Sequence, residues 1–182
     1  YFIWILPLLF NCIVAHAQQQ EAVGAKGNHR VTLGLGHSFM SKGRNNEGKT
    51  VWLPVPSWSL NYDYWISNRW ALGLQTDLVT ETFEVEESDG QSLERERPVA
   101  LVLAAIFKPG RHFSFIAGGG IEFEHERNLG LSRLGIEYGL ELPKQWEAGV
   151  ALIWDNKWNY YNSWAIEFTF AKLFRKKRTD EN

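Results

Sequence analysis

His112, Ser114 and Glu126 are the residues here whose types could carry out a hydrolysis: a His-x-Ser pair on one strand face, and a carboxylate twelve positions further on. An imidazole takes a proton from a hydroxyl only within hydrogen-bond reach. If 112–126 is one strand, a rise of ~3.3 Å per residue puts Glu126 about 40 Å from Ser114, and no relay forms. His37 and Ser38 fail differently, because strand neighbours point to opposite faces. His29 and His125 have no partners at metal-ligand spacing, and the single cysteine, Cys12, lies in the apolar N-terminal run, so a zinc site is not expected. No catalytic residue, cofactor or metal is assigned.

A larger set of ionisable residues has a different character. Asp63, Asp77, Glu81, Glu122, Glu124, Glu137, Glu147 and Glu167 fall on the polar parity of alternating segments, and Arg133 is the one clear mid-strand cation among them. Carboxylates enclosed together must pair, protonate or bind a cation. The expected lumen network is Asp77, Glu122, Glu124, Arg133, Glu137, Glu147 and Glu167. Arg133 is its predicted hub, reaching Glu122 or Glu167, with Arg95, Arg97 or Arg127 entering from the loops.

Those charges need a scaffold that hides one face of each segment, and from Arg30 onward the hydropathy has period two. Eight runs alternate. Seven of them have one apolar face: 31–38, 57–64, 70–78, 113–124, 133–141, 146–155 and 164–174. The other, 99–107, is apolar on both faces. Ser67-Asn68, Lys108–Arg111 and Leu142–Gln145 read as tight turns, and 41–49, 86–97, ~125–130 and ~155–162 as longer polar loops. Short turns at one end and long loops at the other predict an all-β, eight-stranded antiparallel up-and-down transmembrane barrel, with the short turns in the periplasm and the loops extracellular.

Composition narrows the classes. The 182 residues carry a net charge of −2, which argues against a nucleic-acid partner, and 45% hydrophobic residues argue against disorder. Nine Trp sit beside a mean hydropathy of −0.29, a combination foreign to helical membrane proteins but natural where only one strand face is apolar. The aromatics also fall in bands. Tyr62, Tyr64, Trp70, Trp146 and Phe174, with Trp65, lie near turns or the C-terminus, while Trp154 and Trp164, with Phe83, lie near the loops. Two girdles around an aliphatic middle suit rings that prefer the headgroup level. Trp158, Tyr160 and Tyr161 are possible loop contacts for a surface partner.

The ends of the chain read as addresses. Residues 1–17 form an apolar run closing on Ala15-His16-Ala17, which predicts a secretory signal peptide cleaved after Ala17; Phe10-Asn11 before Cys12 is a poor lipoprotein match. The domain layout is then 1–17 signal, 18–29 periplasmic segment, 30–174 barrel and 175–182 basic periplasmic tail. Pro54 and Pro56 interrupt the second run, and a closed barrel has no edge strand to tolerate them. They are expected in a part of the strand that rises above the membrane as a rim.

The Ala15-His16-Ala17 signal, the strand-turn-strand Tyr62–Gly73 and the terminal alternation Phe168, Phe170, Phe174 resemble the small eight-stranded outer-membrane proteins related to OmpX and the OmpA transmembrane domain. More narrowly, the chain is similar to the Bacteroidetes-type "outer membrane protein beta-barrel" sequences. The resemblance covers roughly 30–174; it departs at the end, where Phe174 is followed by a basic tail instead of closing the chain. It implies export by the general secretory route to a bacterial outer membrane, lipid and the barrel-assembly machinery as partners, and a monomer. The expected function is a non-enzymatic barrel with a side-chain-plugged polar lumen and a structural or surface-interaction role. A small-solute or hydrophobic-compound channel and a lipid-modifying enzyme are the competing readings.

Overall fold

The computed structural model describes residues 26–44, 49–86 and 92–174. The signal segment, most of the N-terminal segment and the basic tail lie outside the described residues. Eight strands close into one antiparallel barrel: β1 (His29–Arg44), β2 (Thr50–Trp65), β3 (Trp70–Val79), β6 (Val99–Phe107), β7 (Phe113–Phe123), β8 (Leu129–Leu142), β9 (Trp146–Lys157) and β10 (Asn162–Phe174). Each pairs with its neighbour in the barrel order, and β1 closes the ring by pairing with both β2 and β10. Closure leaves no barrel edge along the shared span, so the ladder satisfies the backbone polar groups there.

Parity decides which face each residue takes. In β10, Trp164, Ile166, Phe168 and Phe170 are exposed on the outside while Glu167, Thr169 and Ala171 are buried inside. The outer wall is apolar around the ring, and Leu103 and Phe168 are each 65% exposed. The inside is not uniformly polar. Val102, Ala104 and Ile106 of β6 join Ile116, Leu131, Ala151 and Ile153 in a buried apolar cluster, as the doubly apolar fourth run implies. Charges line the remaining walls.

A barrel this narrow bends its strands sharply, and glycine permits it. A Cβ at Gly120 would lie 2.1 Å from the carbonyl oxygen of Leu101 on β6, so any side chain there would force the two strands apart.

The end that holds both barrel termini has the short connections 66–69, 108–112 and a 3-10 turn at Pro143–Gln145. Trp65 was expected in the outer girdle, but it points inward and is buried with Ala71 at this end. The far end differs from expectation in three respects. β9 runs to Lys157, so the link to β10 is only 158–161, and the β7–β8 link is 124–128. The 86–97 segment is structured: β4 (Thr82–Glu86) and β5 (Ser92–Glu96) form an antiparallel hairpin. Phe83, expected beside lipid, instead turns inward with Val85 and Leu93, packing on Met40, Val55, Val79, Leu129 and Tyr161. Burial of these apolar side chains over the mouth holds the hairpin down.

β2 pairs with β1 along most of its length but with β3 only from Ser57 onward. The Pro56 carbonyl accepts from the Thr80 N–H on the β3 side. The N–H that proline lacks therefore faces the same side, where β3 has ended. Pro54 and Pro56 remove no barrel hydrogen bond, which explains their tolerance in a rim extension.

Candidate functional site

The charged lumen is layered along the barrel axis. Nearest the termini, Arg30 of β1 is clamped by Glu137 of β8: Nη2 donates to Oε1 at 2.6 Å and Nη1 to Oε2 at 3.0 Å. Its Nη1 also reaches Asp63 Oδ2 at 3.3 Å. Arg30 Nε lies 3.1 Å from Glu147 Oε2, a charge contact without hydrogen-bond geometry, while Lys108 donates to Glu147 Oε1 at 2.7 Å. Thr169 completes the layer by donating to Glu137 Oε1 at 2.9 Å.

Arg133 spans the middle. Its Nε and Nη2 donate to the two carboxylate oxygens of Asp155 at 2.8 and 2.7 Å. Its Nη1 donates to Gln75 Oε1 at 3.2 Å, and Nη2 also meets Asp77. Among the described residues, Glu167 accepts from Ser59 Oγ alone, at 2.7 Å.

The top layer hangs from the hairpin. Arg95 of β5, with no exposed surface, points down into the mouth. It donates to Glu122 at 2.8 Å, to Glu124 at 3.1 Å and to the Arg127 carbonyl at 2.7 Å. Tyr161 donates to both oxygens of Glu122; burial and the Glu122 charge push its phenol well above the usual range, so it stays a donor. Lys157 stands 3.6 Å from Glu122 and 3.5 Å from Asp155 and joins the upper two layers.

Several expectations change. Arg133 is a hub, but its partners are Asp77 and Asp155. Glu137 belongs to Arg30, Glu122 to Arg95, and Glu167 to Ser59. Reach across a tilted barrel depends on shear between non-adjacent strands, which parity does not encode. Of the three loop arginines weighed, Arg95 enters the lumen. Arg97 is exposed beside Glu96, and Arg127 lies over the Tyr160 ring. Glu81 falls past the end of β3 and is exposed. Arg30, Lys108 and Lys157 were missed as lumen cations. Arg30 shares the inward parity of Thr32 and Gly34, whereas in the sequence the two lysines read as parts of a turn and a loop.

The aromatic residues sort in the same way. Tyr62, Tyr64, Trp70, Trp146, Trp164 and Phe174 are exposed on the outer wall, and Trp154 is half-buried against Trp164. Trp158 lies against the outside of β8, donating to Ser132 Oγ at 2.9 Å. Tyr161 is not a loop-tip contact, since it is 3% exposed. His112 stacks on Tyr138, Ser114 is buried within, and Glu126 is exposed at the opposite end, so these three do not converge. Among the described residues, no cluster of three His, Cys, Asp or Glu could hold a metal ion.

No family model matches the chain, and no curated protein matches it either. Solved structures do. Ail, the attachment invasion locus protein of Yersinia pestis, in complex with the heparin analogue sucrose octasulfate, superposes with a TM-score of 0.52 at 13% identity, covering 80% of this chain and 99% of that one. Neisserial surface protein A (NspA) gives a TM-score of 0.53 at 11% identity, over 82% and 100%. The outer membrane protein OprG from Pseudomonas aeruginosa gives 0.50 at 11%, over 84% and 99%. The chain has the fold of the small eight-stranded outer-membrane barrels.

Proposed function

We propose that the protein is a monomeric barrel of a bacterial outer membrane, closed inside by its own side chains and acting at the cell surface rather than in transport or catalysis. The membrane placement is supported by the continuous apolar outer wall between two aromatic bands, a surface far too large to face water. With the terminus end in the periplasm, the β4–β5 hairpin is the extracellular cap.

One observation carries the closed-lumen reading. Three cross-linked charge layers and an apolar wall fill the interior, and the two cavities lined by Arg133 measure about 20 Å³ each. That is room for about one water molecule apiece. The names of Ail and NspA support a surface role, but the rim here differs from a polysulfate receptor. Glu81, Glu84, Glu94, Glu96 and Glu126 are exposed there beside Lys42, Lys49, Arg97 and Arg127, so the rim carries both signs and fits a partner of mixed charge better than a polyanion.

A channel for small solutes is the second reading, because Arg133 lines both cavities and its displacement would join them. Single-channel recording in planar bilayers separates the two. The closed barrel gives no sustained conductance, and steady openings of the wild-type protein would sink it. Loss of surface attachment in a strain lacking the protein, restored by the wild-type chain, tests the surface role; unchanged attachment would count against it.

A further inference from the structure

We propose that the lumen cavity on the terminus side of Arg133 is a binding site for one monovalent metal cation of about sodium size, held by Glu167 Oε1, Asp63 Oδ1 and Thr32 Oγ1. The proposal rests on the closed-lumen reading, because an open pore would hydrate these groups.

The three oxygens share one property. Each is buried with no hydrogen-bond partner in the protein, and all three residues line this cavity. Glu167, Asp63 and Thr32 are 3%, 2% and 2% exposed. Buried polar atoms are nearly always partnered, so three orphaned oxygens around one cavity point to an occupant. Two of them are carboxylate oxygens, which only accept when ionised. The occupant must therefore present donors or positive charge.

Charge selects between those options. Arg30 and Arg133 are the cations lining the cavity, against Asp63, Asp77, Glu137 and Glu167. A water molecule would satisfy the geometry and leave the negative excess untouched, at a high cost in a low-dielectric interior. A cation satisfies both. The cavity, at about 20 Å³, takes one small ion. Calcium seeks six to eight oxygens and magnesium a strict octahedron that keeps several waters, neither of which this space offers.

The carboxylates are also seated by missing side chains. A Cβ at Gly34 would lie 2.5 Å from Glu167 Oε2, and one at Gly73 would lie 2.5 Å from Asp63 Oδ1. Glycine at both positions leaves the acids their places beside the cavity.

The test uses the purified, folded barrel in detergent, with sodium chloride or N-methylglucamine chloride at one ionic strength. A ligand that binds only the folded state raises its melting temperature, by about 5 °C or more near saturation. That shift is expected in sodium, and Glu167→Gln and Thr32→Val should each abolish most of it. Should Glu167→Gln fail to fold, Thr32→Val and sodium-23 NMR of the folded wild-type barrel still decide: a bound-sodium signal that Thr32→Val removes is expected. Equal melting in the two salts with no bound-sodium signal would overturn the site. So would a melting temperature that follows pH but not cation identity, which would mean that protons neutralise the acids. Conductance measured on the same preparation tells the two failures apart. A sodium shift without current supports both ideas, and equal melting without current overturns the site alone. A current overturns the closed lumen and with it the premise of the site.

Discussion

Arg30 and Glu137 stand 107 residues apart in the chain and meet in the lumen through two parallel hydrogen bonds of 2.6 and 3.0 Å. A bidentate pair of this kind is fixed in direction as well as distance, and it ties β1 to β8 across the barrel. Removing one partner strands the other as a buried charge. Arg30→Leu should destabilise the barrel by about 3–5 kcal/mol, and the Arg30→Leu/Glu137→Leu double variant should recover part of that loss. Urea unfolding from lipid vesicles measures both; strictly additive effects would show that the pair is not coupled.

Arg133 presents a different test, because it holds two acids and also separates two cavities. Arg133→Ala should lower the melting temperature in detergent, with a loss of about 3–5 kcal/mol, and should introduce brief conductance steps that the wild type lacks. An unchanged melting temperature would remove Arg133 as the hub of the middle layer.

Much of this arrangement was legible beforehand, for a definite reason. Period-two alternation is a local property, so it marked Asp63, Asp77, Glu122, Glu137, Glu147 and Glu167 as inward and found all eight barrel strands. Pairing is not local. Glu137 meets Arg30 rather than Arg133 because strand tilt and shear decide which layers coincide. Lys108 and Lys157 were hidden by element ends, where boundaries read from sequence are least secure. The β4–β5 hairpin was masked by its own charge: Glu84 and Glu94 face each other across it, a pairing that disfavours a sheet. Its buried side, Phe83, Val85, Leu93 and Arg95, supplies the compensation.

Close strand approach makes glycine irreplaceable at one point and dispensable at another. Gly120→Ala would put a methyl 2.1 Å from the Leu101 carbonyl and should cost about 3 kcal/mol or more, or block folding outright. Gly110 has nothing within 4 Å of the same position, so Gly110→Ala should stay within about 0.5 kcal/mol of wild type. The heat-dependent gel mobility of refolded protein reports both, and similar behaviour of the two variants would contradict the packing.

Acid should loosen the cap before it unfolds the barrel. Burial pushes the Glu124 carboxyl up, but the Glu126 N–H, the Arg95 charge and the Arg127 N–H outweigh it and hold the group below the usual glutamate range. A group lowered in the folded state contributes stability above its unfolded pKa and loses it as pH falls through its folded value. Hydrogen exchange in the 92–96 strand should therefore accelerate below about pH 4.5, while the β7–β8 ladder stays protected. Glu124→Gln should show the faster exchange already at neutral pH.

Pro54 and Pro56 bear on whether the exposed end of β2 can pair with another strand. Where β2 runs past its pairing with β3, its edge lacks a barrel strand among the described residues, and such margins are templates on which another chain can zip up. The two imino nitrogens withhold the donors that an incoming strand would need, at alternate positions and on the open side. The margin can be tall and still offer an incoming strand no donor at either proline, a second consequence of the residues that disturb the strand pattern.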